Sequence, residues 1–506
     1  MWKGSRGLSL LTSVTSGFLV RRSCILSKFW TNREFNSSSK CSTPQLQVAS
    51  QPLASTHPHL IKAGELTPGI TAKEYRDRRT RLMSLIGQSH NGMTHPHHVV
   101  IIPSSMTNYM SQDVPYTFRQ NSDFLYLTGC QESDCLLILE SIPGCSLPEH
   151  RATFFVQPQD SRWETWNGPR CSVQGAVNIF GMDEGREVCD LSLYLQRFLW
   201  TPHCVWYDYL NPANADFHTT ISTSLINSSE STFKSVRPVV PEIHKLRVIK
   251  SESEIQVIRK SAKIAAESFQ EVLQYGQPGM TELEIGAKME YECKKRGAER
   301  MAYPPVVGAG DRATILHYLV NSHIANDGDL VLMDAGCEYH GYASDITRTW
   351  PINGKFTEAQ RQLYDVVHRV QSACIRLVRP GTTLNEIHEV TETLMTGELG
   401  KLDLIKKSIF ASRAFDQMVP HHVGHYLGLD THDTPTVTRD TPLQPGMVIT
   451  IEPGVYCPKH IDWIPKKYRG IGIRIEDDVL VTQTGYEILT TDIPTDANLI
   501  ESLAST

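Results

Sequence analysis

The chain has 506 residues, 40% of them apolar, and a formal net charge of -6, which suits roughly two to four domains with buried cores. Charges of both signs are interspersed, so no basic stripe offers itself to nucleic acid, and no apolar run of about eighteen residues is available to span a bilayer. The 12 cysteines are scattered without a C-x-x-C pair, a pattern of neither a zinc ribbon nor a disulfide scaffold, which points to a reducing compartment.

The N-terminal stretch MWKGSRGLSLLTSVTSGFLVRRSCILSKFW is rich in Ser, Arg and Lys, and the first acidic residue is Glu34. Arg21 and Arg22 interrupt the apolar run that a secretory signal would need, so residues 1–55 are expected to be a mitochondrial transit peptide and linker. Without that leader the chain would stay in the cytoplasm. Gln45 to His59 has no apolar period and reads as linker, and the first folded domain is expected over residues 64–245. In it TAKEYRDRRTRLMSLIG predicts an amphipathic helix, and HHVVIIP, DFLYLTG and CLLILE are apolar runs of strand length, which makes this domain α/β. The tract HNGMTHPHH, with His90, His95, His97 and His98, has Pro96 in its midst and no carboxylate beside it, and reads as a loop rather than a metal site.

A second boundary falls at KLRVIKSESE, and a domain is expected over residues 250–502. Ile255, Ile258, Ala262, Ala265, Phe269 and Val272 recur at helical spacing, and Thr281 with Glu284 has the spacing of a capping box. About a hundred residues later the phrase returns: Pro278, Gly279, Thr281, Glu284 and Ile285 match Pro380, Gly381, Thr383, Glu386 and Ile387. The domain thus reads as two related halves.

Each half carries chemistry after its copy of the phrase. In the first, DLVLMDAG and GYASDITRTW read as a hairpin bearing Asp334 and Asp345. In the second come PHHVGHYLGLDTHD, with His421, His422, His425 and His432, then VITIEPGVY with Glu452, then GIGIRIEDD with Glu476. Strand alternation in the last puts Ile471, Ile473 and Ile475 on the core face and Arg474 and Glu476 on the other. If the halves close on each other, Asp334 and Asp345 meet His425, Glu452 and Glu476 at the junction. Taken singly, each acid would be a strand-end surface residue. Buried together, four carboxylates and one imidazole need cations, and two divalent ions would offset them. Oxygen-rich ligation with a single nitrogen suits Mn²⁺ or Mg²⁺ better than a Cys/His zinc site, and manganese is the favoured choice.

These motifs, in this order, resemble the pita-bread metallopeptidases, the family of methionine aminopeptidases, prolidases and Xaa-Pro aminopeptidases. DAGCEYHGYASDITRTWP, HHVGHYLGLDTHD, VITIEPGVY and RGIGIRIEDD carry the resemblance, which spans Gly64 to about Ser502. RQNSDFLYLTG, Arg119 to Gly129, is similar to the N-terminal domain of Xaa-Pro aminopeptidases, a domain that methionine aminopeptidases lack. With the leader, the likeness is to the mitochondrial branch. The chain departs from bacterial relatives at Leu125, where they carry an aromatic residue.

The resemblance implies an α+β pita-bread catalytic domain behind an α/β N-terminal domain. It implies release of the first residue from peptides with proline second, and a homodimer formed through the N-terminal domain. Asp345 and Glu476 would bridge two metal ions, with Asp334 completing one and His425 and Glu452 the other. Glu452 would shuttle a proton, and Arg474 would steady the carboxylates. His317, His421 and His432 match histidines beside the metals or facing substrate, and Tyr303 matches a substrate-contacting position. His422 matches none and is expected to be structural. The alternatives are an Xaa-Pro dipeptidase of the same fold and a binding protein that has kept the domain without its metals.

Overall fold

Apolar runs in which residues of both parities are large and branched bury both faces of a strand. Three such runs, His98–Pro103, Leu136–Ser141 and His150–Val156, make the centre of a six-stranded mixed sheet in the computed structural model. The structure describes residues 49–89, 97–200, 203–228, 235–405 and 411–505. Residues 1–48 of the expected leader and linker lie outside the described residues, as do His90 and His95. The order of the sheet is Glu184–Glu187, His150–Val156, Leu136–Ser141, His98–Pro103, Cys204–Trp206, Ser235–Arg237. Val100, Ile102, Leu137 and Leu139 face the helices Ala72–Gln88 and Ser122–Thr128, while Val99, Ile101, Leu136 and Ile138 pack against Leu191, Leu195, Phe217 and Ile221 on the other side.

Three details depart from the sequence reading. DFLYLTG is a helix, not a strand: Asn121 caps it by accepting from the Phe124 N–H, and Gly129 ends it in the left-handed region at φ 67°. A seven-residue apolar run between a cap residue and a glycine fits either state, and the cap chemistry decides it. The stretch read as linker is packed from Ala49 on, with Ala49, Leu53 and Ile61 buried and the Gln51 amide donating to the Gly129 carbonyl at 3.0 Å. His98, which the sequence placed both at the end of the HNGMTHPHH loop and in the strand run HHVVIIP, begins the strand and is buried.

Beyond residue 250 the two halves are visible in the capping chemistry. Helices Glu252–Tyr275, Glu282–Lys295, Glu358–Ile375 and Leu384–Lys401 all begin with capping boxes, at Ser251, Thr281, Thr357 and Thr383. The helices share a core with two three-stranded antiparallel sheets. One orders Val306–Ala309, Leu330–Ala335, Ile346–Pro351; the other orders Val448–Ile451, Asp477–Val481, Tyr486–Ile488. The ribbon Gly454–Cys457 with Ile471–Arg474 completes the second half. A β-bridge, Thr347 to Glu476, joins the halves, the Glu476 N–H donating to the Thr347 carbonyl at 3.1 Å. The bridge is where the expected carboxylates gather. No helix among the described residues is long and apolar enough to cross a membrane.

Candidate metal centre and active site

Asp334 stands opposite Thr347 in the pairing of Leu330–Ala335 with Ile346–Pro351, and Asp345 immediately precedes the second strand. His425 comes from a segment pressed against Val448–Ile451. Its N–H donates to Thr450 Oγ1 at 3.1 Å and its carbonyl accepts from the Thr450 N–H at 2.9 Å. Gly424 makes that approach possible, since a Cβ there would lie 1.9 Å from the Thr450 carbonyl oxygen. Glu452 follows the same strand, and Ile473 and Ile475 point into the core while Arg474 and Glu476 point at the site. All five expected ligands line one cavity of about 210 Å³, with His317, His421, His422, His432, Arg439 and Arg474 among its other walls.

Within it, donor atoms of Asp345, His425 and Glu476 lie within 4.8 Å of one another. His425 Nε2 is 3.4 Å from Asp345 Oδ2 and 3.6 Å from Glu452 Oε1. Its Nδ1 is 3.0 Å from the Tyr426 carbonyl, which can only accept, so the proton sits on Nδ1 and Nε2 offers its lone pair to the carboxylates' side. The Tyr303 hydroxyl is shared by Asp334 Oδ1, at 2.5 Å, and Asp345 Oδ1, and Thr347 donates to Glu476 Oε2 at 2.6 Å. Among the described residues, Arg474 is the guanidinium that pairs with the expected ligand carboxylates, reaching Asp334 Oδ2 at 2.6 Å, Thr347 Oγ1 at 3.0 Å and Tyr456 Oη at 2.7 Å.

Burial and mutual repulsion among these acids raise their affinity for protons. Burial pushes Glu452 up to about 7, and burial with the Asp345 charge drives Glu476 well above the carboxylate range. Asp345 is raised by burial and by Asp334. Burial would lower His425, yet Asp345 and Glu452 push it up to about 9. A protein-only site of this kind holds protons where positive charge is wanted, and an oxygen-rich set with one imidazole lone pair fits divalent metal ions.

The other expected residues are placed as follows. His421 has both ring nitrogens engaged, Nδ1 with the His422 carbonyl and Nε2 with Tyr456 Oη, each at 2.9 Å, and burial lowers its pKa to about 4. His432 lies at the exposed rim with its ring 4.4 Å from that of His425, and His317 faces it from an exposed loop. Tyr303 spends its hydroxyl on the two carboxylates and does not line the cavity. His422 is stacked on His388 and tied to Asn385 and the Gly424 carbonyl. Leu125 packs into the core beside Gly341, away from the cavity. Sequence reasoning missed Thr347 and Tyr456. Thr347 could have been found by strand alternation from Asp345, two residues earlier; Tyr456 carried no signal of its own.

Paired carboxylates and one histidine, set where two related half-domains meet, define a metal-dependent hydrolase. Residues 256–483 match the family described as Metallopeptidase family M24, and residues 75–206 match the Aminopeptidase P, N-terminal domain. The chain is 44% identical to Xaa-Pro aminopeptidase 3 of Homo sapiens over 90% of each sequence. It is 39% identical to the mitochondrial intermediate cleaving peptidase 55 of Arabidopsis thaliana, over 91% of this chain and 89% of that protein. The solved structure of proline aminopeptidase P II from Yersinia pestis superposes with a TM-score of 0.79 at 34% identity, covering 86% of this chain and all of that one. The chain therefore belongs to metallopeptidase family M24, as a metallo-aminopeptidase with an aminopeptidase P N-terminal domain. Membership implies divalent metal ions.

Proposed function

We propose that this protein is an Xaa-Pro aminopeptidase that removes the first residue from peptides with proline second, using two divalent ions for which manganese is the favoured choice. The observation that carries the reading is the convergence of Asp334, Asp345, His425, Glu452 and Glu476 on one cavity, in a chain 44% identical to an Xaa-Pro aminopeptidase. In this reading Asp345 and Glu476 would be shared by the two ions, Asp334 would complete one, and His425 and Glu452 would complete the other. Bound there, such ions lower the pKa of water so that hydroxide is available near neutral pH.

The chain's own residues supply the rest. Glu452, half-buried at the cavity wall beside His425, can take a proton and return it to the departing amine. Arg474 holds Asp334 and, through Tyr456, His421. His432 and His317, with no hydrogen bond to another described group, are free to hold the substrate carbonyl and the charge that develops on it. Proline offers no N–H, so the pocket must recognise ring shape. Residues 64–245 serve as the N-terminal domain and 250–502 as the catalytic one. The exposed Tyr109, Met110, Val114 and Tyr116 of the former support a homodimer. The basic leader and the mitochondrial relative support import into mitochondria. A reporter fused to Met1–Val48 that stays in the cytosol or is secreted defeats that part.

Purified, manganese-loaded protein should release the first residue of Xaa-Pro-Xaa peptides, cut the matching Xaa-Ala-Xaa poorly, and leave Xaa-Pro dipeptides nearly intact. Equal cleavage of the alanine peptide removes the proline assignment. It would favour the second reading, an intermediate-cleaving peptidase, which the 39% identical relative supports.

A further inference from the structure

Directly behind His432 the chain makes a turn whose carboxylates are gripped from outside the catalytic halves. Asp433 is buried; its Oδ1 takes Arg247 Nη2 at 2.5 Å and its Oδ2 takes Lys250 Nζ at 3.1 Å. Asp430, three residues earlier, takes Arg247 on Oδ2 at 2.7 Å. On Oδ1 it takes Arg119 at 3.2 Å and the Ser122 hydroxyl at 2.6 Å. Arg119 also donates to the Leu429 carbonyl at 2.7 Å, and Arg247 reaches back to Asp123 at 2.6 Å. Arg119 and Ser122 belong to the N-terminal domain, and Arg247 ends the helix Val240–Arg247 that connects the domains.

Two further features show that the turn is held rather than merely settled. Thr434, next to Asp433, is a β-branched residue at φ +49°, a left-handed conformation that such side chains avoid and that persists only where the surroundings enforce it. At Gly428 a Cβ would lie 2.6 Å from Asp433 Oδ2 and 2.9 Å from Lys250 Cε, so the close approach of carboxylate and ammonium depends on the missing side chain. His432, the residue between the two anchored aspartates on the cavity side, makes no hydrogen bond or ion pair with another described residue and so takes its position from the backbone on either side.

We propose that the N-terminal domain and its connection clamp the His432 turn, with Arg119 and Arg247 acting through Asp430 and Asp433 as positioning residues for substrate contact by His432. The inference rests on the reading of His432 as a substrate-facing group. In it the N-terminal domain is a working part of the active site although it contributes no side chain to the cavity. Loosening the clamp leaves the metal ligands in place and blurs the aim of one imidazole.

Arg119→Ala and Asp430→Asn, both partly exposed positions, are compared with the parent in full-length metal-loaded protein. Hydrogen exchange of the segment 427–436 should quicken in both variants while helix Glu358–Ile375 keeps its protection. On an Xaa-Pro-Xaa peptide kcat should fall by roughly three- to tenfold, a typical coupling between neighbours, with KM little changed. In a His432→Ala background the same substitutions should cost no more than about twofold, and Arg119→Lys should recover part of the loss. An equal loss in both backgrounds, or unchanged exchange over 427–436, overturns the clamp. Should the parent leave proline peptides uncut, the exchange measurement still decides the clamp, while the failure falls on the proposed activity alone.

Discussion

Replacing Asp345 by Asn keeps the shape of a side chain that is 4% exposed and removes one negative charge from the cluster. Asp334, Asp345, Glu452 and Glu476 carry four negative charges when ionised, and among the described residues only Arg474 pairs with one of them, so three are left for metal to balance. An ion present at a hundred times its Kd stabilises the folded protein by about 2.7 kcal/mol. If losing a shared carboxylate weakens the site a hundredfold, the same free metal contributes only about 0.4 kcal/mol. The difference of about 2.3 kcal/mol corresponds to about 5 °C in Tm at roughly 2 °C per kcal/mol, the scale for larger domains. Without metal, Asp345→Asn should melt at or above the parent, because repulsion within the cluster is relieved. Differential scanning calorimetry with and without manganese, alongside elemental analysis after gel filtration, measures both effects. A variant that retains both ions and the full metal-induced shift would refute Asp345 as a shared ligand.

His432→Ala should keep near-normal metal content while turnover drops by about 10² to 10³, the usual loss for one donor to a developing oxyanion, and loss of metal instead would move His432 into the ligand set. Glu282 is buried and accepts from the Ala309 N–H, Arg312 Nε, the Tyr318 hydroxyl and the His323 N–H, fixing the loop that carries His317. Glu282→Ala should cost about 3–5 kcal/mol in urea unfolding and raise KM, and a loss below about 1 kcal/mol contradicts the hub. Burial opposes ionisation of Asp430, yet the Arg247 and Arg119 guanidiniums hold its carboxyl down to about 2. Its folded pKa lies below the unfolded one, so its contribution is complete above about 4 and is lost as pH falls through about 2. Asp430→Asn should flatten the parent's loss of stability in that window and leave the curve near neutral pH parallel.

What could be read from the sequence was local. Thr281 with Glu284 and Thr383 with Glu386 mark helix starts by chemistry contained within four residues, and all four atoms needed for each box are where the spacing puts them. The alternation around Arg474 and Glu476 likewise needs only the pleat of one strand. DFLYLTG failed because an apolar run of that length carries no period, and its fate rests on Asn121 and Gly129 outside the run. Tyr456 enters the site because Gly454–Cys457 pairs with Ile471–Arg474, a register that no residue of VITIEPGVY announces. The grip of Arg119 and Arg247 on Asp430 was invisible for the same reason, being made between segments brought together only by the folded chain.

The central claim, that proline-peptide cleavage depends on a pair of metal ions held by these five residues, is tested most directly by titrating manganese into chelator-stripped protein and following cleavage of one Xaa-Pro-Xaa peptide. Activity should be absent in the stripped protein and rise to its plateau as the bound metal reaches two ions per chain. Full activity in the stripped protein, or a plateau reached at one ion, would contradict it.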